Sequence, residues 1–468
     1  MLSFFRINDP LRLLILFLAI ILVRLPYLIS STPLLYEMEW LTIGLEVAKA
    51  DVVLYKDFLT PMAPLAALVY AGLSFISSDS NLILQIISIF VLIHQAALFN
   101  SIMYKNKAFN ESTYIPALVY VLLMHAFFDF FTLSPVLISL TFILLVLDNI
   151  YLRIENKLDD FTIMKTGFYM GVAILFYLPS VIFVIATIIS FILLTSLIFR
   201  RYMLFLYGLI IPFTLVSLYY LWRGAFVEML NEWVLYTFSF ASDNLLNLPS
   251  FILIIAVPVL FLFIALYRTF TYPRFTNYQV RVQQVMFIMF LAAWACWLFS
   301  NNKAPYQLMI FVPFISFFIA HYLLLLKNRF FAEVSALAFT VLLIGINYYI
   351  YQEGSLTRSF GNFYQLKSYP SVYQKWTEGK RTLVLANDKN IYYQGAEVAG
   401  KYFDWNLGEA HWTGLNKPEK LVNLYNYFDQ YSPETIIDPE GKLDVVFNRL
   451  PKVKSRYRRI SAHVYVLE

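Results

Sequence analysis

Charge and thiols are both scarce in this chain. Of 468 residues only 14% are Asp, Glu, Lys or Arg, and the single cysteine, Cys296, sits inside an apolar run. One cysteine excludes an internal disulfide and a thiolate metal site. No Walker-type glycine loop is present, which disfavours ATP-driven transport through this chain. His-Glu-x-x-His and Gly-x-Ser-x-Gly are missing as well. The apolar segments hold few ionisable groups, with Asp148 near one end as the main case, and no relay of acids crosses them. That weighs against ion or proton transport, and against a flippase, which needs a polar path. The net charge of +5 calls for no nucleic-acid partner, because the basic residues cluster in short loops.

What the chain has is hydrocarbon. Hydrophobic residues make up 60% of it, with 44 Phe and 34 Tyr. Runs of about 18 or more apolar residues recur, the length that crosses a hydrocarbon layer of roughly 30 Å. They are too long and too poor in alternation for barrel strands. The fold class expected is therefore an all-α polytopic membrane protein. The first span covers about 11–29. Arg6 and Arg12 precede it, which puts the N-terminus in the cytoplasm, and no small-residue cleavage site follows it. Further spans are expected near 82–103, 112–128, 134–150, 165–178, 181–198, 203–221, 250–267, 284–300, 306–326 and 332–350, eleven in all. Every second loop is basic: Lys105 and Lys107; Arg153 and Lys157; Arg200 and Arg201; Arg268, Arg274 and Arg281; Lys327 and Arg329. Counting 61–77 as a span would invert this pattern, and two prolines open it, so it is expected to lie in the outer interface.

Beyond residue 351 charge rises and long apolar runs stop. The division expected is a membrane domain over 1–351 and a small extracytoplasmic α/β domain over 352–468. Residues 382–387, 434–439, 444–448 and 463–468 read as strands, and 417–431 has helical apolar spacing after Asn416-Lys417-Pro418.

The stretch 35–65 carries Glu37, Glu39, Asp51 and Asp57 beside the first span. Carboxylates next to a bilayer are costly unless solvated or used. Glu37 and Glu39 point the same way in an extended segment and diverge at a helix start. They serve as a general base or cation ligands in one reading, and as solvated groups at a helix N-terminus in the other. Asp129 lies among phenylalanines in His-Ala-Phe-Phe-Asp-Phe-Phe, either as a turn residue or as a perturbed acid. His125, four residues earlier, reads first as a satisfied buried histidine. Lys303 runs against the charge bias of its loop, so it is either a phosphate contact or a snorkelling helix-end lysine. Arg223 is a weaker candidate of the same kind. The loop 222–249, with Glu228, Glu232 and Asp243, either covers a groove or forms an amphipathic interface helix.

Arg24-Leu25-Pro26 closing the first span, an acidic pair, Ala48, Val-Leu-Tyr-Lys-Asp (53–57) and Ala63-Pro64-Leu65 form a degenerate pattern. In this pattern, best over 11–150, the chain resembles the GT-C superfamily of integral membrane glycosyltransferases. Lys303-Ala304-Pro305-Tyr306 and a terminal outer α/β domain add to the likeness. The resemblance implies a polyprenyl-phosphate sugar donor in a bacterial inner membrane, transferred on the periplasmic side to a lipid, glycan or protein acceptor. It implies Glu37 or Glu39 as catalytic carboxylate, Asp129 as second-loop acid, and Lys303 on the carrier phosphate. Asp57, His125, Arg223 and Tyr306 join the expected substrate-binding set. A divalent cation, Mg or Mn, held by Glu39 and Asp129 is the alternative to neutralisation by Lys303. The chain departs from the family pattern in three places: Glu-Met-Glu for Asp-Glu, Asp51 for Gly, and Thr-Pro-Met-Ala-Pro for Lys-Pro-Pro. The rival expectation is a non-catalytic membrane scaffold whose outer domain binds partner proteins of an envelope or secretion complex.

Overall fold

A computed structural model describes residues 1–30, 32–76, 81–154, 159–194, 198–239, 244–271, 275–301 and 303–468. Lys157, Asp243 and Arg274 lie outside these described residues. The chain separates into two units: Met1–Ser31, Asn81–Ser217 and Thr237–Gln365 form the first, and Thr32–Ser80, Leu218–Tyr236 and Leu366–Glu468 the second.

Eight helices among the described residues are long and apolar enough to cross a membrane. They are Leu11–Ser30, Leu82–Lys105, Pro135–Ile154, Phe199–Trp222, Leu248–Thr271, Asn277–Leu298, Pro305–Leu325 and Arg329–Tyr351. The segments expected near 112–128, 165–178 and 181–198 are shorter helices, Ile115–Leu123, Asp160–Phe176 and Leu178–Leu194. At 1.5 Å per residue the first of these is only about 14 Å long and the second about 26 Å. The protein is thus a multi-pass membrane protein, with eight of the expected eleven spans carried by full-length helices. Burial grades them: Pro305–Leu325 is central, whereas Leu11–Ser30 and Phe199–Trp222 expose most of their apolar surface, as helices facing lipid should. Glycine allows one tight crossing. A Cβ on Gly167 would lie 1.9 Å from the Phe205 carbonyl oxygen, and one on Gly208 2.0 Å from that of Met164, the small-residue packing that brings membrane helices close.

The second unit is built on a five-stranded mixed sheet in the order β2-β1-β3-β5-β4. Its strands are β1 (Arg381–Val384), β2 (Glu397–Val398), β3 (Thr435–Ile437), β4 (Tyr457–Ser461) and β5 (Val464–Leu467). β1 runs parallel to β2 and β3, and β5 antiparallel to β3 and β4. Leu383, Leu424, Phe428, Ile436, Leu443 and Val446 fill its core. The helix expected over 417–431 is present as Pro418–Tyr431, with proline in its first turn where no amide partner is lost.

One expectation needs correction. Residues 444–448 belong to the helix Lys442–Arg449, not to a strand. Buried Leu443, Val446 and Phe447 have i, i+3, i+4 spacing, and the Asp438 carboxylate accepts the Lys442 and Leu443 amides at 3.0 and 2.8 Å. An anion on the first free amides favours helix there. Grouped by contact, the second unit resumes at Leu366, beyond the change in composition at 351/352, and takes in 32–80 and 218–236. Hydropathy marks where apolar runs stop, but not which loops fold onto the sheet. The stitching is backbone: Ser368 N–H donates to Pro33 O at 2.9 Å and Leu59 N–H to Lys401 O at 2.9 Å, with Phe58 stacked on Phe403. Within 222–249, residues 226–237 run as one helix, Phe226–Met229 continued through a π-helical turn, Leu230–Leu235, with Met229 and Trp233 buried and Val227, Leu230 and Leu235 exposed.

Residues 61–77 hold one helix of 11 residues, Pro64–Ser74. At about 16 Å it is too short to span. Its Tyr70 backbone touches Gly44 of the helix Leu35–Val47, where a Cβ would lie 2.5 Å from the Tyr70 carbonyl, and Trp40 stacks on Tyr70.

Candidate functional site

The acidic pair opens the helix Leu35–Val47, so its two carboxylates do diverge, by about 200° at 100° per residue. Glu37 turns inward. It is fully buried, and its carboxylate accepts the Leu34 amide at 3.1 Å, closing the helix N-terminus from its third residue. Glu39 instead meets Lys389, whose ammonium donates to Glu39 Oε1 and to Asp404 Oδ2, both at 2.7 Å. Lys389 and Glu39 keep only 19% and 18% of their side chains exposed, and Asp404 keeps 5%. Burial alone would lower the Lys389 ammonium, but Asp404 and Glu39 together hold it above its ordinary value. Asp404 also caps the helix Trp405–Trp412 through the Asn406 and Leu407 amides. Burial, then the charges of Glu39 and Asp404, push the Tyr393 phenol well up, so that it remains a donor. The result is a carboxylate–ammonium–carboxylate row with net negative charge.

Asp57 shapes the turn that follows. Its carboxylate accepts the Val53 amide at 2.9 Å, beside Tyr55 at φ 73°. Arg223 is half-buried and forms no ion pair among the described residues. Two residues of the second unit went unnoticed in the sequence, Lys389 and Asp404. Asp404 before Trp405 has the form of an N-cap, but nothing local ties Lys389 to Glu39.

A separate polar cluster lies in the first unit. Arg24, only 2% exposed, donates to Ser88 Oγ at 2.6 Å, to the Phe131 carbonyl at 3.0 Å and to His125 Nε2 at 3.3 Å. His125 closes the set by donating from Nδ1 to Val121 O at 2.7 Å. It is the satisfied buried histidine of the plainer reading. Asp129, in the 3₁₀ turn Phe128–Phe131, is fully buried and accepts the Tyr306 amide at 2.8 Å. Its carboxylate thus sits on the N-terminal amides of the helical segment Pro305–Leu325, where the dipole favours an anion. Tyr306 meets Asp129 through its backbone. Lys303 donates to the carbonyls of Trp297, Leu298 and Ser300 at 2.9, 2.8 and 2.5 Å. All three protons are committed to the end of the helix Asn277–Leu298, the bonding of the helix-end reading.

Glu39 faces an ammonium, and among the described residues no group of three His, Cys, Asp or Glu side chains could hold a metal ion.

The first unit also contains an apolar cavity of about 310 Å³, walled by Phe130, Phe251, Pro258, Trp294, Trp297 and Phe311. The fold thus combines a helical membrane unit that holds this cavity with a small α/β unit. Two solved structures carry that fold across the whole chain. One is ArnT from Cupriavidus metallidurans bound to undecaprenyl phosphate, with 15% identity, 97% of each chain covered and a TM-score of 0.56. The other is the same protein in the apo state, with 13% identity, the same coverage and a TM-score of 0.56. No family model and no curated protein sequence matches the chain.

Proposed function

We propose that this protein is a GT-C type membrane glycosyltransferase. In this reading it takes a sugar from a polyprenyl-phosphate carrier and transfers it to a lipid, glycan or protein acceptor on the periplasmic face of a bacterial inner membrane. The observation that carries the reading is the extent of the likeness: 97% of both chains, soluble unit included, to a protein with undecaprenyl phosphate bound. The apolar cavity supplies a chemical reason, since an isoprenoid tail needs an aromatic-lined, water-free channel. Glu39 is the base in this reading, because Glu37 is enclosed in its own helix start. Glu39 takes the acceptor proton as the acceptor oxygen bonds to the anomeric carbon. The carbon–phosphate-oxygen bond breaks and its electron pair leaves with the carrier phosphate. Lys389 and Asp404 are positioning residues that hold the Glu39 carboxylate.

The reading is tested by Glu39→Gln, Glu37→Gln and Asp129→Asn variants that insert normally. Glu39→Gln should lose transfer in membranes supplied with the native donor, and full activity in all three would refute the assignment. A specific observation favours a second reading, a scaffold that binds protein partners: the Glu39 carboxylate is already occupied by a lysine. Mass analysis of lipid extracted from the purified protein separates the two. Carrier lipid supports the transferase; stoichiometric protein partners without it support the scaffold.

A further inference from the structure

The second unit holds a polar cavity of about 400 Å³ that none of the roles above uses. Lys56, Lys401 and Lys420 line it against one carboxylate, Asp57. Lys56 is exposed and Lys401 half-buried, and neither forms an ion pair among the described residues. Lys420 donates to the Ala410 and Thr413 carbonyls at 2.6 and 2.7 Å, which fixes its ammonium in place. Asp57 is itself engaged by the Val53 amide. The cavity therefore has an excess of positive charge in a recess, where field lines concentrate on an anion.

The remaining wall is not that of a plain anion site. Asn423, Asn426 and Gln430, from the helix Pro418–Tyr431, present amides that both donate and accept. Vicinal hydroxyls have the same double character. Tyr402 and Tyr431 add ring faces. Tyr431 is held where it is by Gly400, at φ 75°, since a Cβ there would come within 2.3 Å of its ring. His411 packs edge-on against Tyr402. Burial, then Lys401 and Lys420, push its imidazolium down, so the neutral ring adds one more hydrogen-bonding group. The volume falls within the roughly 300–1,000 Å³ of small-molecule sites.

We infer that this cavity binds a saccharide bearing an anionic group, a phosphate or carboxylate, with Lys56, Lys401 and Lys420 on the anion and the amide and tyrosine side chains on the sugar. That this saccharide is the acceptor of transfer rests on the transferase reading; the binding does not.

Calorimetric titration of the full chain in detergent tests it without any transfer assay. Glucose 6-phosphate and glucuronate are the probes, with glucose and inorganic phosphate as references. At least one anionic sugar should bind about tenfold more tightly than either reference. Lys56→Gln combined with Lys401→Gln should weaken it about tenfold, and Asn426→Ala severalfold, with unchanged thermal unfolding. Raising salt should weaken binding, because the lysines are accessible to counterions. Stronger binding of one probe than the other identifies the anionic group as phosphate or carboxylate. Phosphate binding as tightly as the sugar phosphate would reduce the cavity to an anion site and overturn the inference. Unchanged affinity in the double lysine variant, or no measurable binding of either probe, would overturn it as well.

Discussion

Replacing Lys389 by methionine removes the one cation between Glu39 and Asp404, which both approach it at 2.7 Å. Removing one partner of a buried pair costs about 3–5 kcal/mol, because the charge left behind is uncompensated. Here two carboxylates are left, but Glu39 and Lys389 each keep nearly a fifth of their side chains in water, at 18% and 19%. Solvent can screen part of the repulsion, which brings the expected loss to about 2–3 kcal/mol. Glu39→Gln should be milder, about 1 kcal/mol, since the Lys389–Asp404 bridge survives and glutamine still accepts a hydrogen bond. Denaturant unfolding followed by tryptophan fluorescence reads the change, with Trp405 and Trp412 at the two ends of the helix that Asp404 caps. The decisive variant is Lys389→Met with Glu39→Gln and Asp404→Asn, which removes all three charges. It should recover at least half of the loss, because coupled residues are not additive. The pH arm has a defined sign. Lys389 is held above its ordinary value, so its contribution is intact below about pH 10.4 and lost as pH rises through the folded value. Lys389→Met should abolish that alkaline loss. If Lys389→Met unfolds at the wild-type denaturant concentration, the row of charges contributes no stability and the argument fails.

Three further outcomes follow from the same contacts. Asp129→Ala deprives the Tyr306 amide of its acceptor and should cost about 1–2 kcal/mol, whereas Asp129→Asn keeps an acceptor and should cost less than half of that; thermal unfolding in detergent checks the ratio. Lys303→Met should lower stability by about 1 kcal/mol through the lost helix-end bonds, with no change in retention of carrier lipid; a strong loss of bound lipid in an otherwise folded protein would restore Lys303 to the phosphate. Cysteines placed at Asp51 and at Lys107, both exposed, should label from opposite sides of the membrane, with buried Cys296 silent in both variants; labelling from one side would remove the Leu82–Lys105 crossing.

The membrane architecture was legible because its signal is additive: a run of apolar residues reads the same whatever it packs against. The helix at 418–431 and strands β1, β3 and β5 were legible through local pattern. Residues 444–448 were not, since Val445, Val446 and Phe447 satisfy a strand reading until Leu443 and the Asp438 cap are weighed. Two-residue β2 has too little pattern to detect. At the site, Glu37, Glu39 and Asp129 were identifiable as carboxylates where carboxylates are costly. Their partners were not identifiable, because Glu39 and Lys389 are separated by 350 positions and Asp129 and the Tyr306 amide by 177. Lys303 stood between two readings in the sequence, and the three carbonyls within six residues that accept from it belong to the helix-end one.

The fold also argues for sidedness without any count of basic loops. Residues 32–80, 218–236 and 366–468 belong to one unit, so they share one side of the membrane. Between 80 and 218 the chain must therefore cross an even number of times. Three long helices lie there, Leu82–Lys105, Pro135–Ile154 and Phe199–Trp222. The shorter helices must supply an odd number of crossings. If Asp160–Phe176 and Leu178–Leu194, separated by Tyr177 alone, cross as a hairpin, the segment opened by Ile115–Leu123 has to cross. Asp129 follows at the end of that segment.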